Sequence, residues 1–157
     1  PYIGGEEEKS EQEPLRIWGD LEQGRIIPAE TPVISAQCVR VPVVDGPMAT
    51  VSVSFERTPS KEQVLEAWAS FETLPQRLGL PSAPKPFLHY FEEEDRPQTK
   101  LDRDYVQGVG ITIGRLRADP LLEYRFVCLT QNAFAGGAGG PGMTAAPLLV
   151  WSYIPRN

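Results

Sequence analysis

The sequence predicts an α+β domain: a mixed, largely antiparallel β-sheet with helices on one face. Three observations carry that expectation. Short segments rich in β-branched and aromatic residues, at 34–43, 51–55, 87–91, 109–116 and 124–129, are bounded by Pro, Gly or Asp, as strands are. Two other segments, 6–18 and 59–71, repeat their apolar or charged residues at helical spacing. The β-patterns at 109–116 and 124–129 are joined by a short connection through Asp119-Pro120, which favours an antiparallel pair.

The chain has 157 residues, enough for one domain with a core of its own. Hydrophobic residues at 41% and charged residues at 23% are ordinary for a globular protein. A net charge of −6 argues against a nucleic-acid or acidic-membrane partner. No apolar run approaches the roughly 20 residues of a membrane helix, and no signal-peptide pattern opens the chain, so a cytoplasmic protein is expected. The two cysteines, Cys38 and Cys128, lack metal-ligand spacing and read as buried thiols; no metal is expected. Residue 1 is Pro1 rather than methionine, which suggests a piece of a longer protein.

The first helix is expected at 6–18. Glu6, Glu7 and Glu8 follow Gly4-Gly5 and suit a first turn, where the helix dipole favours negative charge. Glu6 and Lys9 lie one turn apart on one face, and Pro14 strains the helix if it lies inside. Residues 21–32 read as a loop broken by Gly24, Pro28 and Pro32. The strand expected at 34–43 carries Arg40 and ends in the Asp45-Gly46 turn. A guanidinium in so apolar a strand needs an anion. It forms either a structural salt bridge within the chain or a strand-held site for a carboxylate or phosphate.

Residues 51–55 alternate strictly, as a half-buried strand does. Thr58-Pro59 reads as the N-cap and first position of the second helix, whose Val64, Leu65, Trp68 and Phe71 form an apolar face toward the sheet. Residues 80–86 are a proline-rich connection. His89, the single histidine, sits in the aromatic strand 87–91 and reads as structural rather than as a proton-transfer group. The alternating charges of 96–104 suit an ion-pair network, a subunit contact or a solvated loop.

Four of these stretches resemble one family. Cys38-Val39-Arg40-Val41-Pro42-Val43 followed by Asp45-Gly46 resembles the C-x-R-V-P-V-x-D-G-H segment of aspartate-semialdehyde dehydrogenases, in their archaeal and fungal branch. Glu6 and Lys9 match an E-x-x-K pair after a Pro-x-Ile segment, and 96–104 matches R-P-Q-x-x-L-D-R-D. Asn132 and the glycines that follow, including Gly136 and Gly137, are similar to N-x-x-R/K-G-A-A-G-G. The resemblance implies the glyceraldehyde-3-phosphate dehydrogenase-like C-terminal fold. It divides the chain into a substrate-binding and dimerisation domain, 1–131, and a glycine-rich turn with the C-terminal segment, 132–157. It further implies a homodimer formed through the sheet.

In that family a cysteine thiolate attacks the acyl carbon of 4-aspartyl phosphate, phosphate leaves, and NADPH reduces the thioester to L-aspartate 4-semialdehyde. The product feeds lysine, threonine and methionine biosynthesis. The resemblance assigns the substrate carboxylate to Arg40, the substrate or phosphate end to Lys9 and Glu6, and NADP contacts to Asn132, Gly136 and Gly137. The nucleophile and the nucleotide loop belong to a part of the family upstream of this match, and neither Cys38 nor Cys128 occupies the nucleophile position. Three departures are visible. Pro47 stands where the family has its acid/base histidine, Ala135 replaces a basic residue, and Pro141 and Pro147 fall where a helix would run. This chain alone is therefore expected to be inactive. A non-catalytic dimerisation or scaffold descendant is the alternative.

Overall fold

Helix α1, Glu6–Ile17, opens the first of two units, Pro1–Pro42, in a computed structural model that describes residues 1–81 and 83–131. Gly5 precedes it in the left-handed region at φ 77°, and no side chain caps the helix. Three glutamates in the first turn, Glu6, Glu7 and Glu8, complement the dipole instead. Pro14 lies inside the helix, which continues to Ile17, with the Trp18 amide donating to the Pro14 carbonyl at 2.9 Å.

Two expectations for this unit are corrected. The loop expected at 21–32 begins with a hairpin, β1 (Asp20–Glu22) paired antiparallel with β2 (Arg25–Ile27). Its two-residue turn has Gln23 at φ 48° and Gly24 at φ 78°, the pair of positive angles that matches the twist of a tight hairpin. Both strands are exposed throughout, so no alternation in burial marked them. The strand expected at 34–43 does not form. Ile34, Ala36 and Cys38 are half-buried and Ser35, Gln37 and Val39 exposed, the period of two of an extended chain, but this segment pairs with no strand.

The second unit, Val43–Asn157, is built on a four-stranded sheet in the order β3-β6-β5-β4. Strand β3 (Met48–Val53) pairs antiparallel with β6 (Tyr124–Leu129), and β6 pairs antiparallel with β5 (Ile111–Ala118), as the short Asp119-Pro120 connection predicts. Strand β4 (Leu88–Phe91) lies parallel to β5, which makes the sheet mixed. The fold class is the α+β class expected. Helix α2 (Lys61–Ala69) lays Trp68 against Tyr90 at 5.9 Å and edge-on to Phe126 at 5.0 Å. Val64, Ile113, Leu116, Val127 and Leu129 are buried, with Thr112 among them.

Helix α2 starts later than Thr58-Pro59 would place it. Ser60 is the N-cap, in a reciprocal box with Gln63: the Gln63 amide donates to Ser60 Oγ at 3.2 Å, and the Ser60 amide to Gln63 Oε1 at 2.8 Å. That box satisfies two amides at once, where Thr58 could satisfy one. The Thr58 hydroxyl donates instead to Glu123 at 3.4 Å. Two short helices were not expected: α3 (Leu74–Arg77), ahead of the 80–86 connection, and α4 (Thr99–Asp102), inside the charged 96–104 stretch. Among the described residues no helix is long and apolar enough to cross a membrane.

Candidate functional site

In the first unit, the 36–40 segment is fastened along α1 by its backbone. The Ala36 amide donates to Glu11 Oε1 at 2.8 Å, the Cys38 amide to Glu7 Oε1 at 2.9 Å, and the Arg40 amide to the Pro1 carbonyl at 2.8 Å. Between the two glutamates, Ser10 Oγ lies 3.9 Å from Cys38 Sγ. The spacings match. Residues four apart on a helix rise about 6 Å, and every second amide of an extended chain recurs at about 6.6 Å on one side. The segment runs antiparallel to α1 and delivers Arg40 to the end where the helix begins.

Arg40 itself is exposed, and among the described residues its guanidinium has no ion-pair partner. The expectation of a guanidinium held near a core is thereby corrected. Without a sheet around the segment, none of the described residues buries the charge. Among the described residues the salt bridge of the first reading is not formed. A guanidinium held by its backbone and open to solvent can take a carboxylate or phosphate bidentately.

Lys9 Nζ donates to Glu6 Oε1 at 2.9 Å across one helical turn. This hydrogen bond, with the charge of Glu6 second, raises the Lys9 pKa and keeps the ammonium charged. At about 100° per residue Lys9 lies roughly 160° around α1 from Glu7, off the stripe that carries the 36–40 segment. The first unit therefore carries Glu6, Lys9 and Arg40, with Lys9 off the stripe of α1 that holds the Ala36 and Cys38 amides.

In the second unit, Pro47 is exposed just ahead of β3, and its carbonyl accepts from the Thr130 amide at 3.3 Å. The preceding turn is held from 96–104. Arg103 Nε lies 3.5 Å from Asp45 and 3.6 Å from Asp104. Gly46 has φ 92°, and a Cβ there would sit 3.3 Å from both Arg103 Cβ and Leu129 Cδ1. Glycine is needed for the angle and for that close approach.

The 96–104 segment is an ion-pair network rather than a solvated loop. Arg96 grips Asp102 with Nε and Nη2, the Gln98 amide donates to Asp102 Oδ2 at 2.7 Å, and the guanidinium lies 4.3 Å over the Phe91 ring. Burial pushes the Asp102 carboxyl up, but the bonds from Arg96 and Gln98 and the charges of Arg96 and His89 outweigh it and hold the pKa below the usual value. His89 stacks on Tyr105 at 5.1 Å and meets Phe91 edge-on at 4.6 Å, the packed setting of a structural histidine. Pro97 packs on β5 at Gly114, where a Cβ would come within 2.9 Å of Pro97 Cδ.

Cys128 is half-buried on β6, and burial pushes its pKa up to about 11. Its thiolate fraction at neutral pH falls about a hundredfold below that of an ordinary thiol, which suits packing and not nucleophilic attack. Iodoacetamide at pH 7.5 is accordingly expected to alkylate Cys128 on the order of a hundred times more slowly than a free cysteine, as read by mass spectrometry over time. Modification at the free-cysteine rate would remove the burial argument. Among the described residues, no three His, Cys, Asp or Glu side chains gather to hold a metal.

Residues 1–134 match the family model described as semialdehyde dehydrogenase, dimerisation domain. The chain belongs to that family. Within it, the chain is 43% identical over 144 residues to the aspartate-semialdehyde dehydrogenase of Schizosaccharomyces pombe, covering 88% of this chain and 40% of that protein. It is also 43% identical over 147 residues to that of Methanothermobacter thermautotrophicus, covering 92% and 42%. The crystal structure of aspartate semialdehyde dehydrogenase with NADP from Candida albicans matches with a TM-score of 0.86 and 36% identity, over 98% of this chain and 45% of that one. The chain thus spans about two fifths of the length of these relatives. The semialdehyde dehydrogenase segment around Asn132, Gly136 and Gly137, with the rest of 132–157, lies outside the described residues. Sequence reasoning missed Glu7, which it took for a dipole complement, and Glu11, to which it gave no role. Their four-residue spacing was visible, but the amides they accept were not.

Proposed function

We propose that this chain is the substrate-binding and dimerisation part of an NADP-dependent aspartate-semialdehyde dehydrogenase, forming L-aspartate 4-semialdehyde from 4-aspartyl phosphate in amino-acid biosynthesis in the cytoplasm. The observation that carries it is that the first unit holds both family motifs: Glu6 bonded to Lys9 on α1, and Arg40 on the segment fastened along that helix, its guanidinium without an ion-pair partner among the described residues. Arg40 grips the substrate carboxylate, and Lys9, ordered by Glu6, takes the phosphate end. Residues 1–131 form this domain and 132–157 the glycine-rich turn and C-terminal segment. Asn132, Gly136 and Gly137 contact NADP, which supplies the hydride when bound.

The test joins this chain to the part of the Candida albicans relative that it does not match, and follows NADPH formation from aspartate semialdehyde and phosphate. Activity that falls at least a hundredfold in Arg40→Ala supports the reading. Activity indifferent to Arg40 sinks it, and the unfused chain is expected to show none. Pro47 favours a second reading, a non-catalytic dimerising scaffold, because proline cannot transfer a proton. A fusion that dimerises but never turns over, even with Pro47→His, selects it.

Both readings include a homodimer through the sheet. Sedimentation equilibrium of the chain at micromolar concentration is expected to give twice the 17.4 kDa of one chain. A monomer at that concentration counts against both.

A further inference from the structure

The arginine assigned to substrate is exposed, and it is held through its backbone rather than its side chain. What orders it is a pair of acceptors on α1, Glu11 for the Ala36 amide and Glu7 for the Cys38 amide, together with the Pro1 carbonyl ahead of the helix for the Arg40 amide. Each glutamate uses one Oε1 for one amide, at 2.8 and 2.9 Å, so the helix takes the place of a neighbouring strand. An exposed segment without a strand partner and without these bonds would sample many conformations, and its arginine would pay that ordering cost on binding.

We propose that Glu7 and Glu11 are positioning residues for Arg40: their carboxylates hold the 36–40 backbone to α1 and so pre-set the guanidinium for an anionic substrate group. The inference rests on the reading of Arg40 as the anion-binding arginine. It also makes a prediction opposite in sign to simple electrostatics. Removing two carboxylates near an anion site should tighten anion binding if charge alone matters. If they position Arg40, removing them weakens it.

The test uses the full chain, with inorganic phosphate as the probe and backbone amide shifts and exchange rates as readouts. In the parent, shifts at Arg40 and Lys9 should saturate, and Arg40→Ala should abolish them. The double variant Glu7→Ala/Glu11→Ala should bind phosphate on the order of tenfold more weakly, with Ala36 and Cys38 amides exchanging faster while those of β5 stay protected. Glu7→Gln/Glu11→Gln removes the charge but keeps an acceptor oxygen, and should restore both binding and protection. Glu7→Ala alone serves if the double variant loses its β5 protection. The inference is overturned if Arg40-dependent binding is unchanged or tightened in the alanine variants, or if the Ala36 and Cys38 amides exchange no faster. Absent binding in the parent, or binding indifferent to Arg40→Ala, instead removes the reading of Arg40 on which it rests.

Discussion

Replacing Pro47 by histidine in the fusion with the Candida albicans relative is expected to raise turnover by about 10²–10⁴-fold, the usual contribution of a positioned acid or base. The backbone at this position is already fixed. The Pro47 carbonyl accepts from the Thr130 amide at 3.3 Å, and the turn before it is pinned by Arg103 against Asp45 and by Gly46 against Leu129. The site is exposed, so an imidazole enters without displacing core atoms. Proline contributes no donor there, so nothing is lost on substitution. The gain should bring a new limb in the pH–rate profile near the ordinary histidine pKa of about 6.5. Stopped-flow or steady-state rates across pH 5–9 read both effects. A fusion no faster with histidine, and with an unchanged profile, would falsify the acid/base assignment of position 47.

Asp102→Ala is expected to destabilise the second unit by about 3 kcal/mol, lowering its melting temperature by roughly 10 °C. Asp102 is 4% exposed and accepts from Arg96 twice and from the Gln98 amide. Its removal leaves the guanidinium and an amide without their acceptor beside the Phe91 ring. Asp102→Asn keeps an acceptor but not the charge, and should cost less. The pH dependence has a definite sign. The folded-state pKa of Asp102 is lowered, so its contribution is complete above the unfolded value near 4 and is lost as pH falls through the folded value. The difference between parent and Asp102→Ala should therefore shrink only below about pH 4. Equal melting temperatures for the two at pH 7 would show that the network carries no stability.

How much of this was legible depends on which physical signal each element uses. The β5–β6 hairpin could be read because a short connection leaves two adjacent β-patterns little choice but to pair. The helix at Lys61–Ala69 could be read from Val64 and Trp68 at helical spacing, although the cap went to Ser60 because Gln63 completes a reciprocal box that Thr58 lacks. The β1–β2 hairpin was missed because Leu21, Ile26 and Ile27 are all exposed and so leave no alternation to detect. Its Gln23-Gly24 turn is a weaker signal than Asn-Gly.

The sequence by itself determined the α+β class, and the resemblance of its motifs pointed to the family and to Glu6, Lys9, Arg40 and position 47 as candidates for its chemistry. The class follows from residue type and spacing and the candidates from matching motifs, and neither needs a tertiary partner to be read. Only the tertiary structure decided what the 36–40 segment pairs with and what surrounds Arg40. An alternating apolar segment states that its amides need acceptors, and a neighbouring strand is the usual supply. Here the acceptors are two carboxylates spaced one helical turn apart, more than 20 residues away in sequence. The same local pattern satisfies its hydrogen bonds equally well against a strand or a helix. Against the helix it leaves the arginine open to solvent rather than locked into a sheet.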